Sequence, residues 1–384
     1  MKTKLTGLGL LAITNLAFAQ SAPQVEMYGI FDNAVRVSTN ASVSGQKYTG
    51  FTQGLFNGDR FGFRGSEAVD GGTYAIFDLE GGFVGGTGTS DQQGQLFGRQ
   101  SWVGLKGAWG QLTLGRQYGN FSDMIGAGDI LGLTHGDALY SNGKSNYGTN
   151  AGETNFFYQE MGLRFDNSLK YEGKTGDVGY GVMAALGGST GDSNANSMYS
   201  GHLSYTYGPF LAGIAYQTEK DAFDKHHRNA GASARYDLGD KNMLYAFYFH
   251  SKFDANYTPI NATNSEMTPG AFGRSDDILQ LAANHYVTRN WNLMGIYYYD
   301  HAKGVNAVGD SGSRNGLVAV ADYYFSARTD VYLAAARTKF NGALENSKNG
   351  GDVVSPDNGG PASGVVAGNF SGVSTAMIGL RHRF

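Results

Sequence analysis

Apolar and polar residues alternate with period two along most of this chain. A strand turns successive side chains to opposite faces, so the pattern predicts strands with one oily side and one polar side. In TYAIFDLE, Ala75, Phe77 and Leu79 oppose Tyr74, Ile76, Asp78 and Glu80. In RFGFR, Phe61 and Phe63 oppose Arg60, Gly62 and Arg64, and in RFDNSLKY, Phe165, Leu169 and Tyr171 oppose Arg164, Asp166, Ser168 and Lys170. The chain closes the same way: Ala376, Ile378, Leu380, His382 and Phe384 share one face, Met377, Gly379, Arg381 and Arg383 the other. Sixteen such segments are read, at 24–38, 59–65, 73–81, 98–105, 110–117, 162–172, 177–187, 199–207, 210–218, 229–237, 241–251, 276–287, 290–301, 314–325, 329–339 and 373–384. Alternation is less regular in the later ones.

The connections alternate in length. SEAVDGG, KGAWG, EGKTGD, YGP, DLGDK, VTRN and FSARTD are tight, whereas those near 39–58, 118–161, 252–275 and 340–372 are long and polar. An up-and-down sheet with short turns at one end and loops at the other predicts an all-β fold: a 16-stranded antiparallel transmembrane β-barrel with short periplasmic turns and long extracellular loops. In lipid every backbone donor and acceptor needs a protein partner, so the last strand is expected to pair with the first, leaving Phe384 at the membrane boundary. A soluble all-β secreted protein is the alternative; its dry core would not accept the Arg, Asp, Glu and Lys of the polar face unpaired.

The first residues, MKTKLTGLGLLAITNLAFAQ, carry Lys2 and Lys4, an apolar stretch and Ala17-Phe18-Ala19, the order of a secretory signal over 1–19 with cleavage after Ala19. The barrel domain is then 20–384. Removing two lysines takes 29 basic residues to 27 against 33 acidic, a formal −6, too mild to suggest nucleic acid. There are 59 glycines, 6 prolines, 24 tyrosines, 23 phenylalanines and no cysteine, which suits strands and turns without disulfides. After the signal no apolar run is long enough for a membrane helix.

YGIFDNAV at 28–35, RFGFRGSEAVDGGTYAIFDLE at 60–80, GRQSWVGLKGAWGQLTLGRQY at 98–118, RFDNSLKYE at 164–172, ADYYFSARTDVY at 321–332 and the terminal GLRHRF closely resemble the general-diffusion porins of Gram-negative bacteria, especially the β-proteobacterial branch. The resemblance implies a homotrimer of sixteen-stranded barrels in outer-membrane lipid and lipopolysaccharide, each barrel with its own pore for small hydrophilic solutes and ions. It implies a third long loop, here 118–161, folded inward to narrow the channel, and a terminal aromatic, Phe384, read by the barrel-assembly machinery. Ala327 in FSARTD departs from the basic residue usual in that turn, at the periplasmic rim.

A channel's site is its charged lining. Arg60 and Arg64 project inward by parity. Arg116 shares parity with the lipid-facing Leu112 and Leu114; a bulge or kink at Gly115 would turn it inward, as its match to the family's pore-wall arginine implies. Arg99 sits in a stretch that does not alternate cleanly. Asp78, Glu80, Arg164, Asp166 and Lys170 are further lumen charges. The third loop carries Asp123, Asp129, Asp137, Glu153 and Glu160 against Lys144; Asp123 and Asp129 facing the wall arginines would set up a transverse field at the narrowest point. GGSTG at 187–191 and GDSG at 309–312 match serine-hydrolase motifs but lie in loops without the context those mechanisms need, so no enzymatic activity is expected. His226 and His227, near Asp224, are expected in a solvated loop rather than a metal site. No cofactor is expected.

Overall fold

The structure, a computed structural model, describes residues 24–39, 47–131, 163–188, 190, 192, 194–258, 260, 272–304, 309–343 and 371–384. Among the described residues, eighteen strands form one antiparallel sheet. In chain order they are β1 (Gln24–Ser38), β2 (Tyr48–Gln53), β3 (Arg60–Asp70), β4 (Thr73–Val84), β5 (Thr89–Ser90), β6 (Gln100–Gly107), β7 (Gly110–Tyr118), β8 (Arg164–Thr175) and β9 (Val178–Ala185). There follow β10 (Ser197–Tyr207), β11 (Phe210–Lys220), β12 (His226–Gly239), β13 (Asn242–Phe253), β14 (Arg274–Tyr286), β15 (Trp291–Lys303), β16 (Ser311–Tyr324), β17 (Thr329–Gly342) and β18 (Gly372–Arg383).

Two of these do not add to the ring. β2 pairs with the second half of β1 and β3 with the first half, so together they make one barrel strand interrupted at 54–59. β5 pairs only with Phe83 and Val84 at the end of β4. The closed barrel therefore has sixteen strands, as the alternation predicts. Tyr48–Gln53 corrects the expectation that 39–58 is all loop: YTGFTQ is too short and too polar to declare itself, and its pairing with β1 supplies what its own pattern lacks.

Closure is direct. β18 pairs with β1 from Ile30–Arg383 to Ser38–Thr375. Phe384 continues that ladder, exchanging backbone bonds of 3.0 and 3.2 Å with Gly29. Its ring lies over Gly29, where any Cβ would collide with it. No unpaired edge is left along the seam.

The outer face is oily: Leu203, Ile214, Leu317, Leu333, Ile378 and Leu380 are each more than half exposed. Aromatic pairs flank the short turns, with Trp109 stacked on Tyr171 at 6.3 Å and Trp291 tilted against Tyr323 at 5.0 Å. Rings at that level sit where hydrocarbon meets headgroup. The inner face is not uniform. On β3 to β8 it is charged, but at mid-height on β14 to β18 it carries Ile278, Ile296, Val318, Val320 and Met377, all buried in one apolar cluster. Both faces of these strands are apolar there, which is why their alternation is harder to read.

Candidate functional site

Arg60, the first residue of β3, lies 4.0 Å from Glu80 of β4, and Glu80 accepts a 2.7 Å bond from Nε of Arg99. Nη2 of Arg99 donates to the Tyr118 hydroxyl at 2.9 Å, and Nη2 of Arg164 donates to the same oxygen at 2.5 Å. The Arg164 guanidinium also lies over the Tyr118 ring, 4.4 Å from its centroid. The two nitrogens sharing that oxygen are at most 5.4 Å apart, the two bonds laid end to end. At an effective dielectric near 20, two unit charges at that distance repel by about 3 kcal/mol. The shared oxygen and Glu80 offset that repulsion.

Arg116 reaches the same wall through a local irregularity. Between β7 and β8 the register slips at Gly115–Gln117, β8 contributing one residue more than β7. Gly115 has φ +136° and Asn167 φ +52°. A Cβ on Gly115 would run into the Ser101 carbonyl, so only glycine fits this twist. Arg116 is turned away from lipid and is only 6% exposed, its Nη1 bonded to Asp166 at 2.7 Å and its Nε to the Gly98 carbonyl at 2.7 Å. Four arginines, 60, 99, 116 and 164, thus converge on this wall, where Glu80 and Asp166 pair with three of them and the buried Asp91 carboxylate acts on Arg99 and Arg164.

Arg64 stands apart, more than half exposed and paired with Glu26 at 2.8 Å nearer the short turns. Asp78 accepts the Tyr28 hydroxyl at 2.9 Å, and Glu80 lies 3.2 Å from that hydroxyl. Lys170 of β8 bridges Asp123 of the third loop and Glu172, the latter at 3.3 Å.

The described start of the third loop does fold inward. It forms one short helix, α1 (Asn120–Gly126), whose Phe121, Met124 and Ile125 share a face and pack on the inner wall. Phe121 meets Phe249 edge-on at 5.5 Å. Glycines make the seat: a Cβ on Gly213 would lie 2.9 Å from Met124, and one on Gly231 2.9 Å from Phe121. Wall side chains satisfy the helix's last carbonyls, Tyr245 donating to Ile125 at 2.8 Å and Arg235 to Ala127 at 2.7 Å. Asn120 donates to the Ser200 carbonyl at 3.2 Å. Burial pushes the Asp123 carboxyl up to about 6, against the opposing pull of Lys170. Asp129 accepts from Gln280 at 3.2 Å. Asp137, Lys144, Glu153 and Glu160 lie outside the described residues.

The far wall carries ion pairs. Arg314 pairs with Asp300 at 2.9 Å, Arg274 with Asp276 at 2.6 Å, and Arg381 with Asp330 at 3.0 Å. Residues 54–59 are stitched to it. Asp32 accepts from the backbone of Phe56 and Asn57 and from the Tyr332 hydroxyl, which itself accepts from the Leu55 backbone at 2.7 Å. Arg381 covers the Phe56 ring at 4.2 Å. Unpaired polar backbone inside a barrel needs such partners.

His226 and His227 open β12 rather than lying in a solvated loop. His227 is fully buried, stacked on Phe253 at 3.8 Å and 3.3 Å from Glu219. Asp224 turns away to Lys220, and among the described residues no cluster suits a metal.

Residues 7–343 match the family described as Gram-negative porin. The chain belongs to the Gram-negative porins. This porin is 29% identical over 399 residues to an outer membrane porin protein of Bordetella pertussis, covering 95% of this chain and 96% of that one. It is 26% identical over 396 residues to the major outer membrane protein P.IB of Neisseria meningitidis serogroup A, covering both chains completely. Among solved structures, an anion-selective porin from Comamonas acidovorans superposes with a TM-score of 0.69 at 21% identity, covering 94% of this porin and all of that chain. Relatives and fold agree on a bacterial outer-membrane diffusion channel of the β-proteobacterial branch.

Proposed function

We propose that this porin is a general-diffusion channel with a weak preference for anions, and that the wall of Arg60, Arg99, Arg116 and Arg164 opposite the third loop is its narrowest point. The carrying observation is the convergence of these four arginines on one stretch of the lining. Field at a constriction, rather than net charge of the chain, governs which ions enter. The Comamonas acidovorans neighbour is named an anion-selective porin, which supports the sign.

Asp123 and Asp129 belong to the loop side of this constriction, where Lys170 offsets the first and Gln280 holds the second. Arg64 and Asp78 line the periplasmic exit. A homotrimer with one pore per subunit fits the fold, and a trimer form is named for the neighbour OmpT of Vibrio cholerae. Residues 1–19 serve as the export signal, Phe384 as the mark for barrel assembly, and lipopolysaccharide as the outer-leaflet surround. No catalytic step is assigned to the chain.

Single-channel recording of the Arg60, Arg99 and Arg116 triple alanine variant tests the wall. Loss of anion preference is expected; an unchanged preference would remove these arginines from control of the pore. Liposome swelling with sugars of graded size separates an open pore from a channel reserved for one solute.

A further inference from the structure

The lipid-facing side of β13, β14 and β15 changes character in steps toward the loop end. Across the ladder its outward residues form rows: Ala246, Leu281 and Tyr297, then Tyr248, Leu279 and Tyr299, then His250, Asp277 and His301, then Lys252, Ser275 and Lys303. Their neighbours along each strand, among them Phe249, Ser251, Asp276, Ile278 and Ala302, are fully buried, so these rows face away from the lumen. Apolar side chains give way to a tyrosine row, then to ionisable groups, then to the exposed Lys252 and Lys303. That is the order of the bilayer itself, and it puts the lysines at headgroup level.

The carboxylates nearby are already engaged. Asp277 accepts from the Tyr248 hydroxyl at 2.6 Å and lies 2.9 Å from Nδ1 of His250. Arg228, opposite Lys252, is bound to Asp254 at 3.0 Å. Asp277 feels the charge of Lys303 without pairing to it, and among the described residues neither lysine is within ion-pair distance of a carboxylate. Neighbouring strands lie about 4.8 Å apart, so Lys252 and Lys303 flank Ser275 with about 10 Å between their backbones. Two long ammonium side chains and the hydroxyl between them can close on one phosphate group, each donating to a different oxygen. The feature is one-sided: the exposed outward residues at the loop ends of β1 and β9 are the apolar Val37 and Leu186.

We propose that Lys252, Ser275 and Lys303 form a seat for a phosphate group of an outer-leaflet lipopolysaccharide molecule, with the Tyr248, Leu279 and Tyr299 row packing on its acyl chains. This rests on the reading of lipopolysaccharide as the outer-leaflet surround, and narrows it from a solvent to a ligand bound at one sector of the barrel. Charge complementarity carries the assignment, since lysines that face lipid without a carboxylate partner take their counter-ions from the headgroups at that depth.

The test measures binding of diphosphoryl lipid A, the anchor of lipopolysaccharide, to the folded porin in detergent by native mass spectrometry. Wild type is compared with Lys252→Gln plus Lys303→Gln and with Lys252→Arg plus Lys303→Arg. Lys106→Gln plus Lys174→Gln, which removes the same charge at the short-turn end, is the control. Heat-modified mobility checks folding. The glutamine pair is expected to weaken binding by about tenfold or more, the arginine pair to retain it and the control to match wild type. Lipid A stripped of phosphate is expected to bind wild type no better than the intact lipid binds the glutamine pair. The zero-current potential of the glutamine pair is expected to equal that of wild type, because these side chains face lipid; a shifted potential would place them in the lumen and overturn the seat. Equal binding of diphosphoryl lipid A by wild type and the glutamine pair overturns the seat and leaves the lipid surround standing. Equal binding of the phosphate-free lipid, or an equal loss in the control, does the same. Inorganic phosphate alone binding as tightly as lipid A would make free phosphate the ligand and overturn the lipid assignment. If wild type binds neither form of lipid A, surround and seat fall together. Should the glutamine pair fail to fold, the single variants Lys252→Gln and Lys303→Gln give the same comparison.

Discussion

Phe121→Ala probes what holds the third loop inside the barrel. Phe121 is completely buried, edge-on to Phe249, and shares its seat with Met124 and Ile125. Truncating a buried phenylalanine costs about 3–5 kcal/mol where the site does not collapse. The polar tethers, Tyr245 to Ile125 and Arg235 to Ala127, contribute roughly 1 kcal/mol each. A helix as short as α1 has no stability of its own to fall back on. With every 1.4 kcal/mol worth tenfold, losing the Phe121 contact raises the undocked population by about a hundredfold or more. Undocking leaves the barrel ladder intact, so heat-modified mobility should stay near wild type. Open-channel current should become noisier, with added conductance levels, and liposome swelling should admit larger sugars. Wild-type noise and an unchanged size limit in a folded Phe121→Ala porin would refute the idea that this apolar seat fixes the loop.

Acidification gives a second expectation. Asp123 is held near 6, above its ordinary 3.8, so it loses its charge as pH falls through that value and leaves Lys170 less compensated. Anion preference should rise between pH 7 and pH 5, and Asp123→Asn should abolish the change. Because its folded value exceeds its unfolded one, Asp123 favours the fold most below about pH 4, and that contribution fades as pH rises to 6. The pH step should therefore not unfold the barrel through this group. Gly115→Ala places a Cβ against the Ser101 carbonyl at a φ that L residues avoid, with an expected cost of about 1–3 kcal/mol. The midpoint of thermal unfolding in detergent should fall, and unchanged melting would mean the kink is dispensable. Gly29→Val displaces the Phe384 ring from the seam, and a lower yield of folded barrel is expected on refolding into detergent.

The strands were legible because hydrocarbon outside and water inside impose opposite chemistry on alternate residues. β1 and β18 could be placed within a residue or so from that contrast alone. Arg116 was legible through a contradiction: its parity pointed a charge at lipid, and the neighbouring glycine offered the way out. Less could be read where the contrast vanishes. On β14 to β18 the inner face is apolar because residues 54–59 and the third loop belong to the same buried cluster as these strands, so both faces look alike. α1 was hidden for a related reason. Seven residues carry too little periodicity, and its stability comes from Phe249, Tyr245, Gly213 and Gly231, far along the chain. Inward-facing glycines on neighbouring strands were the available signal for that seat. Tyr118 carried none, since a tyrosine at the end of a strand in a chain with 24 of them is unremarked until its two arginine partners are placed.

The zero-current potential of the wild-type porin across a KCl gradient bears most directly on the arginine wall. Four arginines converging at the narrow point predict the sign given by chloride crossing faster than potassium. The opposite sign would contradict it, whatever the conductance.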